Sequence, residues 1–165
     1  MTFATPLLEA DPLVQLHAAS AMCSVVLGPV ALWRKSRDKW HKAAGYLWIL
    51  MMVTTAISSF WINDIRLIGP FGPIHLLSLL TLTSLTMGLR YAILRRISAH
   101  QRVMKALYFW SLGVAGLFTL LPGRIMGQVV FGSFGQVGFI LCALVFAILM
   151  LLRTRNDRQT KNKAI

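Results

Sequence analysis

Five long apolar runs dominate this chain, at roughly residues 13–33, 43–62, 73–94, 104–121 and 130–152. Each is near the length of about 20 residues that crosses the hydrocarbon core of a bilayer as a helix. A membrane β-barrel would show alternating stretches of about ten residues instead. The runs therefore predict an all-α integral membrane helical bundle of about five transmembrane helices. Composition agrees: 56% of residues are hydrophobic and only 13% charged, against about 25% charged in soluble domains. Mean hydropathy is +0.65.

The charge pattern then orients the spans. Lys+Arg number 17 against 5 Asp+Glu, a net charge of +12. The basic residues fall in short blocks between apolar runs, which is membrane topology and not a nucleic-acid surface. One block holds Arg34, Lys35, Arg37, Lys39 and Lys42, a second Arg90, Arg95, Arg96, Arg102 and Lys105, and the tail Arg153, Arg155, Arg158, Lys161 and Lys163. The other side has Arg66 and Arg124, with Glu9, Asp11 and Asp64. The bias predicts a multi-pass protein of the inner (cytoplasmic) membrane, N-terminus outside and C-terminus cytoplasmic. Residues 1–152 read as one transmembrane domain and 153–165 as a basic, frayed cytoplasmic tail lying on the lipid surface. The first run lacks a basic leader and is read as a retained span.

Four histidines, His17, His41, His75 and His100, stand at the edges of these runs. Ionisable residues at such depth are functional candidates. Topology sorts them into an outer pair, His17/His75, and an inner pair, His41/His100. Spans one–two and three–four then resemble two hairpins in parallel orientation, a weak internal repeat. Helical spacing places small or polar residues on each histidine's face: Ser20, Ala21, Ser24 and Gly28 with His17, and Ser78, Thr81 and Gly88 with His75. His41 shares its face with Gly45, Trp48, Met52, Thr55 and Ser59, and His100 with Met104, Leu107, Ser111 and Ala115. All four are expected to face the bundle interior. Gly69 to Pro73 reads as a rigid outer loop with Pro73 in a first helical turn. The glycines at 132, 135 and 138 predict a close helix contact.

These landmarks resemble DUF2306, a bacterial family of predicted membrane proteins of unknown function. The matching pieces are His17 with Gly28-Pro29, Trp40 to Trp48, Gly72 to Ser78, and His100 to Met104 with Tyr108, ending in Phe118 to Arg124. The family pattern has His-Arg where this chain has His41-Lys42. The resemblance implies a multi-pass membrane protein and no particular activity.

Paired imidazoles on facing helices are a common means of holding haem iron. The first functional expectation is therefore a membrane electron carrier with haem b at the two pairs. Lys42, Arg102 and Arg124 would face propionates. The same residues would serve a protein that handles a cofactor during assembly of a membrane enzyme. A third reading is a non-catalytic membrane subunit whose histidines only bond across helices. A stand-alone enzyme is disfavoured: zinc chemistry needs three or four ligands in one place, and each side offers two histidines, with Asp64 outside and Asp38 inside as the nearest carboxylates. No nucleophile motif or phosphate loop is present. Cys23 and Cys142 sit in apolar runs without a C-x-x-C and read as small hydrophobes. The partners expected are the lipid bilayer and a redox or assembly protein in the membrane, with no nucleic acid; the sequence leaves the oligomeric state open.

Overall fold

A computed structural model describes residues 5–34, 38–62 and 72–162, the side chains of Pro73 and of 153–162 excepted. Asp64, Arg66 and the loop residues Gly69 to Phe71 lie outside the described residues, as do Lys35 and Arg37. Among the described residues every regular element is helical. They run α1 (Thr5–Leu8), α2 (Pro12–Trp33), α3 (Lys39–Ser58), a 3₁₀ turn (Ser59–Trp61), α4 (Pro73–Ile93), α5 (Ile97–Leu107), a π turn (Tyr108–Leu112), α6 (Gly113–Thr119), α7 (Ile125–Phe131), a second 3₁₀ turn (Gly132–Phe134) and α8 (Gly135–Asn162). Among the described residues four helical stretches are long and apolar enough to cross a membrane: Pro12–Trp33, Lys39–Trp61, Ile74–Ile93 and Ile125–Leu152.

The helix starts follow from local chemistry. Asp11 caps α2, its carboxylate accepting from Leu13 N–H at 2.7 Å, with Pro12 in the first turn where its missing N–H costs nothing. Asp38 caps α3 in the same way, accepting from His41 N–H at 2.9 Å. Pro73 opens α4, as its position in the sequence implies.

The chain divides into two compact units, Leu7–Ala115 and a smaller one built mainly from Gly116–Ile165. In the first, α2 packs on α3, α3 on α4 and α4 on α5, and α5 with its π turn returns to α2. The four helices thus close a ring. Its polarity is inverted relative to a soluble bundle. Val25, Val26, Leu47, Leu50, Leu76, Leu79 and Leu80 are exposed, while Ser20, Ser24, Ser58, Ser59, His75, Ser78, Thr81 and Ser111 are buried. Lipid is as apolar as leucine, so close packing and hydrogen bonds hold helices together in a membrane. Toward the basic end of the ring the interior turns apolar, around Trp48, Met52, Leu85, Met104 and Leu107.

Three boundaries differ from expectation. The fourth segment starts at Ile97, so His100 lies inside α5 and not ahead of it, and the π turn interrupts the run. The fifth is broken: Gly132 has φ 53°, a conformation that favours glycine, and the 3₁₀ turn follows it. The tail expected to fray continues α8 as far as Asn162. The expected glycine contact is local. Gly138 makes room for the ring of Phe131, which a Cβ there would overlap.

Candidate functional site

All four histidines lie on the inward faces that helical spacing predicts. Ser20, Ser24 and Gly28 beside His17, Ser78, Thr81 and Gly88 beside His75, Trp48, Met52 and Ser59 beside His41, and Met104, Leu107 and Ser111 beside His100 are buried. The ring of helices adds what spacing cannot supply. α2 and α4, which carry His17 and His75, are diagonal neighbours, and so are α3 and α5, which carry His41 and His100.

The outer histidines converge on the C-terminal end of α3. His17 Nδ1 lies 2.9 Å from Ser58 Oγ. That hydroxyl donates to Thr55 C=O at 3.1 Å, so it accepts from His17, whose proton sits on Nδ1 and whose Nε2 keeps its lone pair. The next residue, Ser59, bonds Ser78 of α4 at 2.5 Å. One turn deeper, Thr55 donates to Ser20 of α2 at 3.0 Å. His75, 5% exposed, carries the opposite tautomer. Gly72 N–H donates to its Nδ1 at 3.0 Å, leaving the proton on Nε2, which faces Phe60 C=O across 3.4 Å. His75 thus occupies the third position of α4 and satisfies the N-cap amide, a task that Glu or Gln usually performs.

The inner histidines are less committed. His100 Nδ1 donates to Gly88 C=O at 2.9 Å, since a carbonyl only accepts, and Nε2 is left as a lone-pair donor. A metal-ligating imidazole is usually fixed by such a bond from its other nitrogen. His41 Nδ1 is buried without a hydrogen-bond partner, an uncommon state for a buried polar atom. Asp38, a carboxylate near it in sequence, is engaged: it caps α3 and forms a bidentate pair with Arg34. Hydrogen bonding to Asp38 holds the Arg34 guanidinium above its ordinary pKa. No group of three or more His, Cys, Asp or Glu suited to a metal ion occurs among the described residues.

Arg124, the remaining predicted site residue, belongs to the smaller unit and stands at the N-cap of α7. That unit holds a cavity of about 360 Å³ bordered by Gly123, Gln128, Ser133 and Gln136, with no histidine in its lining.

Tyr108 was legible only as a landmark of the resemblance, and its role comes from packing. Pro29 lies inside α2 and offers no N–H to Val25 C=O one turn back. The Tyr108 hydroxyl supplies that bond at 3.0 Å. Its ring lies over Gly28, where any Cβ would overlap it. Trp33 and Phe109 meet Tyr108 edge-on at 5.7 Å and 5.6 Å, and the Lys105 ammonium stands 5.9 Å over the Trp33 ring. Gly28-Pro29 and Tyr108 are therefore two halves of one clasp that closes the ring of helices.

Residues 14–155 match the model of a family described as a predicted membrane protein, DUF2306. No curated protein and no solved structure matches the chain.

Proposed function

We propose, for a chain that belongs to the DUF2306 family of predicted membrane proteins, that it binds one haem b at the inner pair, His41 and His100, as an electron carrier of the cytoplasmic membrane. The observation that carries this reading is the contrast between the two pairs. His100 presents Nε2 with its Nδ1–H fixed on Gly88 C=O, and His41 holds a buried nitrogen without a hydrogen-bond partner. His75 has both ring nitrogens engaged, so the outer pair closes on an iron only if it gives up Gly72 or Phe60. We read His17 and His75 as a clamp joining α2 and α4 to the end of α3.

Residues of this chain divide the work. His41 and His100, on diagonal helices, would hold the iron through ring nitrogens. The exposed Lys42 and Arg102 follow them closely on the same helices and would meet propionates. Trp48 and Met104, two turns and one turn further along, keep water from the membrane side of the site. Haem iron, when bound, supplies one-electron chemistry. The Lys/Arg bias supports an orientation with this end toward the cytoplasm.

The test is the visible spectrum of the detergent-purified protein, expressed with haem precursor supplied. One haem per chain is expected, with a Soret band that shifts on dithionite reduction. It should be lost in His41→Ala and His100→Ala and kept in His17→Ala and His75→Ala. A colourless wild type, or a band that survives both inner substitutions, overturns the proposal.

A further inference from the structure

The turn between α4 and α5 carries a second site, independent of the histidines. α4 ends in a Schellman motif: Arg96 N–H bonds Tyr91 C=O at 2.9 Å and Arg95 N–H bonds Ala92 C=O at 3.1 Å, with Leu94 as C-cap. The residue after the cap adopts the left-handed conformation, and glycine is usual there because a Cβ is strained. Here it is Arg95, at φ 56°, the one non-glycine residue with positive φ among those described. A strained arginine persists where a glycine would relax the turn, an outlier of the kind that points to function.

Its surroundings indicate a ligand. Arg90, Arg95 and Arg96 are all exposed, and none takes part in the ion pair found among the described residues, Arg34–Asp38. Ile93 and Leu94, immediately before the turn, are 74% and 52% exposed. The turn also ends a helix long and apolar enough to cross a membrane. Exposed cations beside bare aliphatic side chains at the end of a span match one surface: a phosphate headgroup with its acyl chains. A soluble acidic protein would leave Ile93 and Leu94 uncovered.

We propose that Arg95, with Arg96, binds the headgroup of an anionic phospholipid at this end of the bundle. The Cβ strain at Arg95 is retained because the charge is needed at that point of the turn. Glycine would fit the backbone better and bind the lipid less well.

The opposed effects make the test decisive. Full-length protein in zwitterionic detergent is titrated with phosphatidylglycerol, phosphatidylcholine or inorganic phosphate, and binding is read by native mass spectrometry and by thermal shift. Wild type is expected to retain phosphatidylglycerol in preference to phosphatidylcholine, and to melt higher with it. Arg95→Gly should melt no lower than wild type without lipid, yet bind phosphatidylglycerol about fivefold more weakly, the effect of one arginine at an anionic surface. Arg95→Lys should keep most of the affinity. Equal phosphatidylglycerol binding by Arg95→Gly and wild type overturns the proposal. So does an equal response to phosphatidylcholine, or a shift that inorganic phosphate reproduces.

Discussion

Single residues in this chain are explained by partners far away in sequence. Gly28 is small because the Tyr108 ring occupies the space of its side chain. Gly88 is small because Met104 approaches in the same way, while its carbonyl orients His100. The prediction at this scale is Gly28→Ala. The new methyl displaces the Tyr108 ring and with it the bond to Val25 C=O, an overpacking change that costs about 1–3 kcal/mol. Unfolding of the purified protein in mixed micelles would measure it; an alanine variant as stable as wild type would show that the ring is not pinned there. His75 teaches a related point. A histidine three residues past Gly72 could have been recognised as the side chain that caps α4, because Nδ1 can accept as a carboxylate does.

Two helices depart from regularity, and the departures meet. Pro29 removes a hydrogen bond from α2, and the π turn begins at Tyr108, which restores one. Such π turns are frequent at functional positions. If the hydroxyl serves the carbonyl that Pro29 leaves open, the two residues are energetically coupled. Tyr108→Phe alone should cost about 1 kcal/mol. In a Pro29→Ala background, where the new backbone N–H supplies the bond, the cost should fall by half or more. A double-mutant cycle reads this directly, and additivity would refute the clasp. The broken glycine segment is the counterpart in the smaller unit: spacing showed that glycines gather at 132, 135 and 138, but not that the chain turns at Gly132 instead of packing a continuous helix.

For the whole molecule the governing fact is inverted polarity. Exposed Leu, Ile and Val clothe the helices, and hydroxyls line the half of the ring that holds His17 and His75. Each such bond contributes only about 0.6 kcal/mol on average in a membrane bundle, so the outer network fixes geometry more than it adds stability. Orientation belongs at this scale as well. The Lys/Arg bias predicts the basic blocks on the cytoplasmic side, so a C-terminal fluorescent-protein fusion should fluoresce and a C-terminal alkaline phosphatase fusion should be inactive. The reverse result would invert the assignment of inner and outer histidines while leaving their hydrogen bonds unaffected.

The first three span positions, the helical class, family membership and the inward direction of all four histidine faces were readable in the chain, because hydropathy and the 3.6-residue period are local properties. The tautomers of His17, His75 and His100 were not, since each depends on a partner 3 to 41 residues away, supplied by another turn or helix. Nor was the diagonal placement of the pairs, which follows from which helices touch. The tie between Pro29 and Tyr108 spans 79 positions and exists only once the ring of helices closes. Sequence periodicity tells a side chain which way to face; it holds no information about the atom it meets there.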